Sequence, residues 1–139
     1  KTIVNSILGK KLPVYGKGIN VRDWLFVEDN CRGIHLILTK GKSGEIYNIA
    51  GENEKQNIEI VRMILKHLDK NENLINFVKD RPAHDFRYSI TCEKIKKLGW
   101  RPSYNFEECL KRTTYWYRTN EWWWKKILPK TNIDFHEKF

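Results

Sequence analysis

The sequence is short of the residues on which small secreted and metal-binding domains rely. Its three cysteines, Cys31, Cys92 and Cys109, are odd in number, far apart and without a Cys-x-x-Cys pair. That argues against a disulfide framework and fits a reducing compartment with idle or buried thiols. His35, His67, His84 and His136 show no metal-ligand spacing, which argues against zinc. Long apolar runs are missing as well: the longest compact one, residues 34–38, is interrupted by His35 and falls far short of a membrane-spanning helix. No signal-peptide pattern opens the chain.

Catalytic signatures are absent too. There is no glycine-rich phosphate loop, and "GKG" at residues 16–18 is too short to be one. None of the six tyrosines is followed four positions later by a lysine, and no serine sits in a nucleophile elbow. No catalytic, cofactor-binding or metal-binding residue can therefore be assigned within the chain.

What is present is enough for one ordinary globular domain: 139 residues, 40% of them hydrophobic. The formal net charge of +9 and the pI near 9.5 point to an anionic partner, with phosphorylated metabolites, nucleic acid and acidic membrane surfaces as candidates. The first residue is lysine, and "KTIVNSILGKK" reads as a helix in progress, with Ile3, Val4, Ile7 and Leu8 on one stripe ending at Gly9. We therefore expect the sequence to be part of a larger protein.

Hydrophobic periodicity predicts an α+β pattern of short strands and about five helices. Residues 12–15 and 21–26 read as extended. A helical period begins at Glu28 and closes between Lys40 and Gly44. "EIYNIA" reads as a strand, and Asn57 is expected to cap a helix carrying Ile58, Val61, Ile64, Leu65 and Leu68. "LINFVK" reads as a further strand, Thr91 as the cap of a short helix ending at Gly99, and Asn105 as the start of the last helix, with Phe106, Leu110, Thr113 and Tyr117 along one face.

Binding chemistry is concentrated in two places. Arg22 lies among hydrophobic neighbours in "INVRDWLF", and Asp80, Arg81 and His84 share a loop broken by Pro82. The planar fork of arginine suits bidentate contact with phosphate, and a loop histidine can donate to phosphate or to a base carbonyl. The plain alternative is that Arg22 and Asp23 belong to surface ion pairs.

The segments "LPVYGKGINVRDWLFVEDNCRGIHLILTKGKSGEIYNIAGENEKQNIEIV" and "VKDRPAHDFRYSITCEKIKKLGWRPSYNFEECLKRTTYWYRTNEWWW" resemble the C-terminal portion of the dTDP-glucose 4,6-dehydratases, a family of extended short-chain dehydrogenases. "VRDWLFVEDN", "NEKQN" and "DRPAHDFRY" are specific in combination, whereas "GEIYNIA" and "GWRP" recur among nucleotide-sugar epimerases and dehydratases. Ala83 stands where a glycine is usual, Phe86 where an arginine is usual, and Asn30 where a histidine is usual.

The resemblance implies an α/β fold, the C-terminal substrate-binding part of an NAD(P)-binding Rossmann-like enzyme. Residues 1–27 would open the substrate-binding lobe, residues 28–56 would return a helix and a strand to the Rossmann sheet, and residues 57–139 would complete the lobe and its C-terminal helix. It implies NAD-dependent conversion of dTDP-glucose to dTDP-4-keto-6-deoxyglucose and water in the cytoplasm. NAD and the catalytic residues would belong to an N-terminal Rossmann domain, and the whole enzyme would be a homodimer. Pro13, Val14 and Tyr15 would line the nucleotide pocket, Arg22 would contact the diphosphate, Asn57 would hydrogen-bond nearby, and Asp80, Arg81 and His84 would close over phosphate and base. Asn57 could equally be a pure helix cap, and Tyr15 could be core.

Two alternatives remain: another nucleotide-sugar dehydratase, epimerase or decarboxylase using UDP or GDP, and a basic, tryptophan-rich nucleic-acid module. Against the second, the lysines are dispersed and no nucleic-acid motif appears; a membrane-surface reading of "WWWKK" is weaker still. On one helix Trp122, Trp123 and Trp124 would point about 100° apart. Trp124 continues the Phe106, Leu110, Tyr117 stripe, so Trp122 and Trp123 are expected to face other surfaces, including the place of a further domain. An unpartnered apolar segment at residues 45–50 would make the chain poorly stable alone or prone to association.

Overall fold

A computed structural model describes residues 1–128 of the chain. It is a mixed α/β arrangement whose helices and strands follow the hydrophobic periods closely. Helix α1 (Thr2–Ile7) leads into β1 (Leu12–Tyr15), and β2 (Val21–Asp23) precedes α2 (Val27–Lys40). Strand β3 (Glu54–Gln56) runs directly into α3 (Asn57–His67), and a 3-10 turn (Glu72–Leu74) introduces β4 (Ile75–Val78). Then come β5 (Arg87–Tyr88), α4 (Glu93–Lys97), α5 (Phe106–Thr119) and α6 (Glu121–Lys125).

The strands form two small sheets. β1 and β4 pair in parallel, with Leu12 opposite Ile75 and Tyr15 opposite Val78. The second sheet has the order β3-β2-β5, antiparallel on one side of β2 and parallel on the other, with Arg22 opposite Lys55 and Tyr88. Alternation along β1 sends Leu12 and Val14 into the core and leaves Pro13 and Tyr15 on the other face.

Helix α3 is the centre of the molecule because it is apolar on two sides. Ile58, Val61 and Leu65 pack with Leu12 and Val14 of β1, while Ile60, Ile64 and Leu68 meet Ile3 and Ile7 of α1 and Phe106 and Leu110 of α5. A third cluster of Ala50, Cys92, Ile95 and Trp100 is covered by Leu36 and Ile37 of α2 and by Tyr47 and Ile49. Asp29, only 2% exposed, fastens α2 to residues 100–103: its carboxylate accepts from Arg32 and, at 3.1 Å, from the Ser103 amide, while its carbonyl accepts the Trp100 indole N–H at 3.1 Å.

Four expectations need correction. Gln56, not Asn57, caps α3: its side chain and that of Glu59 form a reciprocal capping box, which places Asn57 in the first helical turn. Cys92, not Thr91, precedes α4, and it makes no side-chain cap bond. Residues 45–50, read as a strand, form none, although they join no ladder among the described residues as an unpartnered segment should; Ile46 is 82% exposed while Ile49 turns into the third cluster. The last helix is not continuous, because Asn120 (φ −117°, ψ 42°) leaves helical geometry between α5 and α6. Its start is as expected, with the Asn105 side chain accepting from the Glu107 and Glu108 amides. Across the break Trp124 is still buried, its indole N–H donating to the Tyr117 carbonyl at 2.8 Å, while Trp122 and Trp123 remain exposed.

Candidate anion-binding site

The residues expected to bind a nucleotide converge where β1, β2 and the loop of residues 79–86 meet. Two backbone features bring them together. The Gly16 amide donates to the Val78 carbonyl at 2.9 Å, and the Val21 amide donates to the Phe86 carbonyl at 2.8 Å, so both ends of the loop are tied to the turn between β1 and β2. Gly18, in the left-handed region at φ +71°, accepts the Ile58 amide at 2.9 Å and sets the same turn against the start of α3.

His84 is the hub. Its side chain is only 6% exposed, and its Nδ1 lies 2.6 Å from Oδ1 of Asp80. A carboxylate can only accept here, so Nδ1 carries the proton and donates it. Nε2 is then an acceptor, and it receives Arg22 Nη2 at 3.2 Å. The Asp80 carboxyl is held below its usual range, first by this imidazole bond and then by the Arg81 amide. Asn20 Nδ2 approaches His84 Nδ1 at 3.4 Å, but two donors cannot bond; its productive contact is the Asp85 carbonyl at 3.3 Å. Tyr15 meets the His84 ring edge-on at a centroid distance of 5.9 Å.

Arg22 lies along this assembly. Nη1 donates to the Val21 carbonyl at 2.6 Å and approaches that of Phe86 at 3.4 Å, and Nη2 donates to the Asp85 carbonyl at 3.0 Å. The guanidinium lies 4.3 Å from the centroid of the Tyr88 ring, and Arg81 lies 5.0 Å from that of Tyr15. Neither guanidinium is ion-paired to a carboxylate among the described residues, whereas Arg32, Arg62, Arg87 and Arg112 all are. Two guanidiniums carried by carbonyls and aromatic rings, with no carboxylate ion pair among the described residues, are suited to an anionic ligand such as a diphosphate.

Six of the eight expected residues fit this place: Tyr15, Arg22, Asp80, Arg81 and His84 are in mutual contact, and Pro13 lies on the same strand face as Tyr15. Val14 does not line a pocket. It is 5% exposed and packs on Ile58 and Leu65, because strand alternation turns it inward. Asn57 touches the site through its backbone, its amide donating to the Asn20 carbonyl at 3.0 Å. The plain alternative for Arg22 is also overturned: Asp23 spends both carboxylate oxygens on the Gly51 and Asn53 amides, each at 2.8 Å.

Sequence reasoning missed Asn20, Asp85 and Tyr88. The signal for Tyr88 was an aromatic residue in a short β-like run after the loop, and its pairing with Arg22 needed the register.

The glycines at positions 16 and 18 join strand to strand rather than strand to helix, so no amides at a helix start are presented to a pyrophosphate there. Among the described residues no cluster of potential metal ligands occurs, and no helix is long and apolar enough to cross a membrane.

Comparison with known proteins places the chain in a family. A family model described as GDP-mannose 4,6 dehydratase matches residues 1–113. The dTDP-glucose 4,6-dehydratase of Neisseria meningitidis serogroup B is 46% identical over 91% of this chain, which spans 39% of that protein. Among solved structures, the Bacillus anthracis dTDP-glucose 4,6-dehydratase in complex with NAD superposes with a TM-score of 0.83 at 49% identity, over 91% of this chain and 40% of that one. The enzyme of that name from Streptomyces venezuelae, also with NAD bound, gives 0.86 at 42% identity, over 91% and 39%. The chain thus spans about two fifths of the length of these relatives. It belongs to the GDP-mannose 4,6 dehydratase family of extended short-chain dehydrogenases, and its similarity runs to the dTDP-glucose 4,6-dehydratases.

Proposed function

We propose that the chain is the nucleotide-sugar-binding part of a cytoplasmic dTDP-glucose 4,6-dehydratase, which converts dTDP-glucose to dTDP-4-keto-6-deoxyglucose and water with bound NAD. The observation that carries this reading is the pair of guanidiniums, Arg22 and Arg81, that make no carboxylate ion pair among the described residues and lie around the buried His84 side chain. In this reading Arg22 meets the diphosphate, Pro13 and Tyr15 border the nucleotide, Asn57 contributes beside them, and Asp80, Arg81 and His84 close over phosphate and base. NAD and the groups that move hydride and protons lie on a Rossmann domain outside this chain, and the complete enzyme is a homodimer.

The division of labour along the chain follows. Residues 1–27 and the segment from 57 onward, of which residues 129–139 lie outside the described residues, belong to the substrate-binding lobe, and residues 28–56 lie against the Rossmann sheet. The outer face of α2 supports this: Val27, Ile34 and Leu38 share one helical face and are exposed, as is Ile46. Trp122 and Trp123 are also exposed, consistent with a place for a further domain.

Calorimetric titration of the protein with dTDP and with UDP tests the reading. Binding of dTDP in preference to UDP, abolished by Arg22→Gln, is expected. Preference for UDP would replace the substrate with another nucleotide sugar, and binding indifferent to Arg22→Gln would remove the site.

A further inference from the structure

The loop that carries His84 continues into β5, and there Tyr88 stands opposite Arg22 in parallel register. Tyr88 is more than half exposed, so its ring is not held by core packing. It is held by its hydroxyl, which donates to the Asp85 carboxylate. Asp85 in turn is fixed from its other end, because its carbonyl accepts from Asn20 at 3.3 Å and from Arg22 Nη2 at 3.0 Å. Asn20 is 5% exposed, so the anchor of this strut lies in the interior. The result is an aromatic face placed 4.3 Å from the Arg22 guanidinium carbon.

The chemistry of this arrangement differs from an ion pair in one respect. A carboxylate in the place of Tyr88 would hold the guanidinium as firmly, but it would neutralise the charge that a ligand must meet. The quadrupole of an aromatic face attracts the cation while leaving its formal charge intact. The carbonyls of Val21, Asp85 and Phe86 fix the two Nη groups along the edge of the guanidinium. His84 Nε2 receives the same Nη2, so the edge of the guanidinium is held, and the ring covers one of its faces.

We infer that Tyr88, braced by Asp85 and Asn20, is the positioning residue for Arg22, covering one face of its guanidinium where the cation meets an anionic diphosphate. The assignment rests on the reading of this site as a diphosphate subsite. It predicts that Tyr88 acts on phosphate recognition alone and not on recognition of the nucleoside.

The test is calorimetric titration of the full chain with dTDP and with thymidine, for Arg22→Gln, Tyr88→Leu, Tyr88→Phe and Tyr88→Trp. Tyr88→Leu is expected to weaken dTDP by about two- to thirtyfold, the range of a partly desolvated cation–π contact, with thymidine affinity unchanged. Tyr88→Phe and Tyr88→Trp, which keep an aromatic face and lose the hydroxyl brace, should both fall between Tyr88→Leu and the parent. Should Tyr88→Leu fail to fold, Tyr88→Gln, suited to a half-exposed edge strand, reads the same loss. Equal weakening of dTDP and thymidine would reduce Tyr88 to a structural role and overturn the inference. Loss of dTDP binding in Arg22→Gln with none in Tyr88→Leu would overturn it while leaving the diphosphate reading intact. Unchanged dTDP binding in Arg22→Gln would overturn both.

Discussion

A β-carbon built on Gly18 would lie 2.9 Å from Cβ of Ile58 and 2.6 Å from Cγ1 of Val14. The glycine also holds φ at +71°, where L-residues are penalised. Gly18→Ala therefore combines overpacking with backbone strain. It should destabilise the protein by about 2–4 kcal/mol, read as a lower urea midpoint at unchanged slope. A midpoint equal to that of the parent would mean that the turn does not rest on α3.

Ala83 is a second left-handed residue, at φ +52°, and it lies inside the loop that carries His84. Glycine removes the side-chain penalty of about 1–2 kcal/mol and adds back about 0.4–1 kcal/mol of unfolded-state entropy. Ala83→Gly should therefore raise the melting temperature by roughly 2–4 °C. A lower melting temperature would show that the methyl group makes a contact worth more than the strain.

Glu54 of β3 and Arg87 of β5 clasp β2 from both sides, with Arg87 Nε and Nη2 each 2.6 Å from a carboxylate oxygen. That bidentate bond, with a second from Ser89, lowers the Glu54 carboxyl from 4.5 to about 2. The folded-state value lies below the unfolded one, so the stabilisation is fully present above pH 4.5 and disappears as the pH falls towards 2. Thermal melts across that window should show a steeper acid loss in the parent than in Glu54→Gln. Parallel curves would mean that the exposed pair contributes nothing.

The three tryptophans separate by burial. Trp124 is 3% exposed and Trp122 is 60% exposed. Trp124→Ala should cost about 3–5 kcal/mol, whereas Trp122→Ala in this chain should stay within about 0.5 kcal/mol. In a protein that also carries the proposed Rossmann domain, Trp122→Ala and Trp123→Ala should lower stability more than dTDP affinity. The reverse order would place those indoles at the ligand.

Much of this architecture was legible because it is written locally. The stripes on α3 and α5, the Asn105 cap and the stop at Gly99 depend on neighbours within two turns. What could not be read depends on contacts made across the chain. Glu59 returns its carboxylate to the Gln56 amide, and that shifts the cap by one residue from the more usual asparagine. Val14 looked like a pocket residue because the motif carries it beside Tyr15, yet alternation sends the two in opposite directions. Residues 45–50 have the composition of a strand, but pairing requires a partner that composition cannot supply. Arg22, Arg81 and His84 were identifiable as anion-binding types, whereas the supports beneath them, Asn20, Asp85 and Tyr88, appear only once β2 and β5 are in register.

The two parallel pairings, Leu12 with Ile75 and Val21 with Arg87, also have a kinetic consequence. Helices α3 and α5 close hydrogen bonds four residues apart, while these ladders require long chain segments to loop back before any contact forms. The anion-facing edge should therefore be the last region to become native during refolding. In stopped-flow experiments helical ellipticity would recover first and competence to bind dTDP would lag behind it, so for part of every folding event the protein would be ordered but blind to its ligand.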